Sequence, residues 1–141
     1  MRVYKVVRLS RGKLRSAIMK RQTLNLEYKL GEPTYPEIDG SFIMAFRTRK
    51  SAELFAHDLY PEEVGIYEAK AEVVPSNKQP TRIVSPDLEV ASIRDFWAIK
   101  EWLSTISSVS LMRAPCNTVF CKSLLLKKKI WDGKSGWLKN T

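Results

Sequence analysis

Lys127, Lys128 and Lys129 stand in a row two residues before Trp131. Lysines beside an aromatic ring suit a single-stranded nucleic acid, whose phosphates meet the ammonium groups while its bases stack on the ring. The other end of the chain offers a matching set, in which Arg8, Arg11, Arg15 and Arg21, with Lys13 and Lys20 among them, surround Gly12. A glycine turn there exposes backbone N–H groups that add to the pull on a phosphate. Arg8, Arg11, Arg15, Arg21, Lys127, Lys128 and Lys129 are therefore the candidate anion-binding residues, and Trp131 is the candidate stacking residue. The plainer alternative is a solvated basic face that keeps the protein in solution.

The charge distribution gives these residues their weight. Residues 1–22 hold eight bases and no acid, and residues 102–141 hold seven bases against Asp132 alone. Residues 23–101 hold nine bases against fourteen acids, and the whole chain carries a net charge of +9. A bipolar chain of this kind gathers anions at its basic surface, and such a field speaks about partners more than about fold. The expected partner is a nucleic acid or a phosphorylated small molecule.

A second chemistry is written in Glu68-Ala69-Lys70-Ala71-Glu72. On a strand, residues 68, 70 and 72 point the same way, so two carboxylates flank a lysine. With Arg8 to grip phosphate and Thr48 or Ser51 nearby, Glu68 or Glu72 would orient an attacking group as ADP-ribosyl transfer from NAD requires. This is the alternative reading, an NAD-using or nucleotide-processing enzyme. No motif fixes its spacing, and the same alternation also serves as a charged solvent face that protects a strand from aggregation. A third reading is an inhibitor whose basic face covers an acidic protein.

Several chemistries lack their motif. The chain has no Walker-type glycine loop, no Gly-x-Gly-x-x-Gly and no Gly-x-Ser-x-Gly, and no helix-turn-helix or RNA-recognition aromatic pattern. His57 is the single histidine, too little for a four-ligand zinc site with Cys116 and Cys121, so neither a metal nor a resident cofactor is expected. The two cysteines read as free thiols. The longest apolar run, Phe42 to Phe46, is far short of the roughly 20 residues that cross a bilayer. The opening residues alternate instead of forming the apolar core of a secretory signal. Cytoplasmic residence without membrane contact is the resulting expectation.

Positioning falls to a core of ordinary size: 44% of the 141 residues are hydrophobic, enough for one domain. Alternation predicts strands at Arg2–Leu9, Leu24–Leu30 and Ile66–Val74, an unbroken apolar run predicts a buried one at Ser41–Arg47, and Thr81–Val84 and Thr118–Leu126 extended to Trp131 also read as strands. Thr48 or Ser51 caps a helix running to Leu59, and Ser92 caps another carrying Phe96, Ile99, Trp102, Leu103 and Ile106 inward. Lys13–Lys20 reads as a short piece with a helical turn, and residues 31–40 as an irregular loop. The expected fold is a single α+β domain, residues 1–131, with a mainly antiparallel sheet and two or three helices. A mobile basic C-terminal tail, residues 132–141, would follow.

Overall fold

Alternation along the first ten residues produces strand β1, Arg2–Ser10. In a computed structural model of the chain, residues 1–10, 12–16, 26–36, 42–59, 63–75, 82–84, 111–113 and 117–138 are described. After β1 the chain reverses at Gly12, φ +78°, and returns as β2, Lys13–Ser16. The pairing runs Ser10 to Lys13 and Arg8 to Arg15, the register of a two-residue hairpin whose glycine takes the positive φ. Lys13–Ser16 is thus a strand where a helical turn was expected, and the rest of that expected piece, residues 17–20, lies outside the described residues. The tight turn hands the chain straight back to the open edge of β1, and Leu14 packs on the core.

β3, Glu27–Tyr28, pairs with β2. β4, Pro33–Thr34, lies inside the loop expected to be irregular and pairs with Leu125 and Leu124. A proline is tolerated there because it opens a two-residue strand. β5, Ile43–Phe46, leads into helix α1, Arg49–His57. Thr48 caps the helix, accepting the Ser51 N–H on its Oγ1 at 3.2 Å, and Ala52 and Ala56 face the sheet. β6, Val64–Val73, follows, and β7, Arg82–Val84, pairs antiparallel with β8, Leu111–Arg113. β9, Thr118–Asp132, is the longest strand, and β10, Gly136–Trp137, folds back on its end.

The main sheet is antiparallel in every pairing, and it returns on itself. β1 pairs with β6, β6 with β9, β9 with β5, and β5 with β1 through Tyr4 and Phe46. Its two faces bury separate clusters. Val3, Val7, Tyr28, Ile43, Ala45, Ala69, Cys121, Leu124 and Leu126 belong to one. Val6, Phe46, Ile66 and Trp131 belong to the other, closed over by Ala52 and Ala56 of α1. Fully burying one large apolar side chain contributes roughly 1.5–3 kcal/mol, against about 0–1 for an exposed ion pair. The core therefore holds the fold, and the surface ion pairs add little to it.

Two further expectations change. Among the described residues α1 is the one helix, so the expected two or three are not found there; the proposed Ser92–Ile106 helix lies outside those residues. Residues 132–138 do not start an irregular tail. The Asp132 carboxylate accepts the N–H groups of Lys134 and Ser135 at 3.0 and 2.7 Å, and Gly136 takes φ +67°, which turns the chain back into β10. Those N–H bonds, Ser135 first, hold the Asp132 carboxyl below its usual range. No helix among the described residues is long and apolar enough to cross a membrane.

Candidate anion-binding surface

Because β6 lies between β1 and β9, side chains line up in rows across three strands. One row is Tyr4, Glu68 and Lys128; the next is Val6, Ile66 and Trp131; Arg8 stands beside Val64 beyond it. Helix α1 covers the middle row. Arg2, Arg8, Lys13 and Arg15 from one end of the chain and Lys128 from the other thus reach the same face of the sheet, where α1 divides them into two groups.

The first group sits on the β1–β2–β3 wing. Arg8 and Arg15 are direct cross-strand partners, and Arg15 is opposite Glu27. Residues in register share a face, and Lys13 joins them two positions along β2. Lys13 Nζ reaches the Glu27 carboxylate at 3.4 Å and Arg15 at 4.0 Å. Glu27 keeps 29% of its side chain exposed. Arg11 and Arg21 lie outside the described residues.

The second group surrounds Glu68. Arg2 Nε meets its carboxylate at 3.0 Å and Lys128 Nζ at 3.9 Å, and the Glu68 side chain is only 13% exposed. The three consecutive lysines do not share one face, because β9 is irregular here. Glu68 pairs with Lys128 and Ala69 with Leu126, which leaves Lys127 as the extra residue of a bulge. Lys129 is opposite Tyr67 and pairs with Asp132 at 3.2 Å.

Trp131 is 2% exposed and packs among Val6, Ile66, Ala52 and Ala56, with its ring edge-on to His57 at 5.5 Å. A ring so enclosed has no face to offer a base, which corrects the stacking role expected for it. Its register partner Trp137 does lie on the surface, 40% exposed. The guanidinium of Arg49 lies 5.8 Å from the Trp137 ring and 5.8 Å from the Tyr4 ring. In the sequence Trp137 stands with Trp131 as an aromatic among the C-terminal lysines, but the stacking role was expected of Trp131 because the residues around Trp137 looked irregular.

The residues of the enzyme alternative fall in different places. Glu68 is four positions along the sheet from Arg8, about 13 Å at the strand rise. Thr48 and Ser51 are engaged at the start of α1, where Thr48 Oγ1 donates to Ser51 Oγ at 3.0 Å and Asn117 Nδ2 donates to the same oxygen at 2.9 Å. Glu72 is exposed opposite Ser123.

One cation is placed where alternation predicts an apolar side chain. Lys5 stands between Val3 and Val7 on the inward face of β1, opposite Tyr67. Its Nζ donates to the Met44 carbonyl at 2.6 Å and lies 5.6 Å from the Tyr28 ring. Burial lowers its pKa to about 8, partly offset by the neighbouring Cys121 sulfur. Burial in turn raises the Cys121 thiol to about 11, against the pull of Lys5 and the N-terminal amine, and also raises the Tyr67 phenol. Cys121 is a free thiol within the core; Cys116 lies outside the described residues. The signal for Lys5 was present in Val3-x-Lys5-x-Val7.

In comparisons with known proteins, no family model, no curated relative and no solved structure matches this chain.

Proposed function

We propose that this chain is a small binding module for a phosphate-bearing partner, a nucleic acid or a nucleotide-like ligand, and that the β1–β2 wing makes the principal contact. The observation that carries this reading is the direct opposition of Arg8 and Arg15 with Lys13 beside them. Two guanidinium groups in register on one face can share a single phosphate, each giving it directional, charge-assisted hydrogen bonds. Gly12 sits at the tip of the same hairpin with its positive φ, where turn N–H groups can add to the anion contact. Lys127 and Lys128 add charge at a second place on the surface and lengthen the path available to a polymer.

Affinity for an oligothymidylate of about twelve nucleotides, a length within single-stranded site sizes, tests the reading against ATP and an acidic peptide. The expected result is tighter binding of the oligonucleotide at low salt and a loss of about tenfold or more in Arg8→Ala/Arg15→Ala, since each charge-assisted contact is worth about 1.5–3 kcal/mol before screening. Undetectable binding of every phosphate-bearing probe at low salt would overturn the reading. Preference for the acidic peptide would move the protein to the inhibitor class.

A further inference from the structure

We infer that Trp137, Arg49 and Tyr4 form a stacking seat for a base of single-stranded nucleic acid, with Arg2 and Lys128 beside it for the adjoining phosphates. The inference rests on the phosphate-binding reading above and adds a second contact, separated from the β1–β2 wing by helix α1.

The seat is assembled from three distant parts of the chain. β1 brings Tyr4, the first turn of α1 brings Arg49, and the hairpin that ends in β10 brings Trp137. Arg49 lies within 5.8 Å of both ring centroids, inside the range of a cation–π contact. Trp137 remains 40% exposed with that guanidinium beside it. A large flat ring left open on a basic surface suits a ligand that is flat and apolar at one atom group and anionic at the next, as a nucleotide strand is. Guanidinium planes add their own stacking and phosphate contacts.

The neighbouring row supplies the charge. Tyr4 is in register with Glu68, and Glu68 with Lys128, so Lys128 stands two strands from Tyr4, about 10 Å across the sheet. Arg2 is two positions along β1 from Tyr4 and reaches the same carboxylate. Because the wing lies about 13 Å farther along β1 by the strand rise, a polymer several nucleotides long reaches both groups, whereas a mononucleotide reaches one.

The test compares oligothymidylate of about twelve nucleotides with inorganic polyphosphate, which has the charge and no base. For Trp137→Ala, oligothymidylate affinity should fall roughly 5- to 100-fold and polyphosphate affinity should hold, while Trp137→Phe keeps most of the oligonucleotide affinity. In the unaltered protein, a photoactivated iodouracil oligonucleotide should crosslink at Trp137, which reads the contact without any substitution. Equal losses for both probes, or oligonucleotide binding untouched by Trp137→Ala, would overturn the seat while leaving the phosphate reading in place. A crosslink mapped elsewhere would do the same. Failure of the parent protein to bind either probe at low salt would remove both.

Discussion

Glu27 and Glu68 are each reached by two cations, yet the two clusters are built differently. Glu68 lies in the middle of three paired strands, 13% exposed, with Arg2 at 3.0 Å and Lys128 at 3.9 Å. Glu27 lies on the short outer strand β3, 29% exposed, with Lys13 at 3.4 Å and Arg15 at 4.0 Å. Glu68 is the drier carboxylate and holds Arg2 more closely, which strengthens that attraction, while Lys128 is no nearer to it than Lys13 is to Glu27. On the wing the same two-to-one arrangement is looser, and Arg8 adds a further positive charge opposite Arg15. Charge count alone does not mark a binding surface; distance and hydration decide how much of each cation remains for a ligand.

Lys5 is the extreme that sets the scale for both clusters, a cation held by a backbone carbonyl and a ring inside the sheet. Its pKa of about 8 against 10.5 corresponds to a cost of about 3 kcal/mol for keeping the charge. Lys5→Met should therefore raise stability at neutral pH by on the order of 1–3 kcal/mol, as a denaturant melt reads it. Between pH 8 and 10.5 the folded protein has released the Lys5 proton that the unfolded chain still holds, so stability rises with pH. Cys121, at about 11 folded against 9.0, acts oppositely above pH 9.0, because there the unfolded chain loses its proton first. The parent should gain stability from about pH 8 to 9 and then level off, and Lys5→Met should lack the gain. A parent profile flat across that interval would show that the ammonium is well hydrated.

The next largest effect separates the two carboxylates. Glu68→Gln should cost about 1 kcal/mol of unfolding free energy, because it removes a partly buried partner from two cations that are themselves exposed. Glu27→Gln should cost under about 0.5 kcal/mol, the usual size for a surface change. The order is what matters; equal costs would erase the distinction between clusters. The smallest effect concerns binding. Glu27→Gln releases Lys13 and Arg15 and should tighten oligonucleotide binding severalfold, whereas Glu72→Gln, on an exposed face opposite Ser123, should leave it unchanged in the same titration.

How far the sequence was legible depends on how local each signal is. β1, β5, α1, β6 and the start of β9 were readable because alternation, an apolar run and a Thr48 cap are written in consecutive residues. β2 was misread, since Leu14, Ala17 and Ile18 also fit a helical turn and only the edge of β1 settles Lys13–Ser16 as a strand. β4 and β10 are two-residue strands that exist through their pairing with β9, which no local pattern announces. The same holds for the candidate site. Arg8 and Arg15 were visible as basic residues, but their opposition depends on a two-residue turn. Lys127–Lys129 looked like one patch until the bulges of β9 sent Lys128 to Glu68 and Lys129 to Tyr67. Trp131 and Trp137 are interchangeable on paper; register with Ile66 buries the first and the hairpin end exposes the second.

The most direct test of the account is the salt dependence of oligonucleotide binding in two double variants, Arg8→Ala/Arg15→Ala on the wing and Arg2→Ala/Lys128→Ala beside Glu68. Each phosphate neutralised contributes about 0.7 to the magnitude of the slope of log K against log salt for a single strand. Losing both wing arginines should flatten the slope by about 1.4, and losing the pair already committed to Glu68 should flatten it by clearly less. A slope that the wing variant leaves intact, or that the Glu68-side variant flattens more, would contradict the assignment of the principal phosphate contact to Arg8 and Arg15.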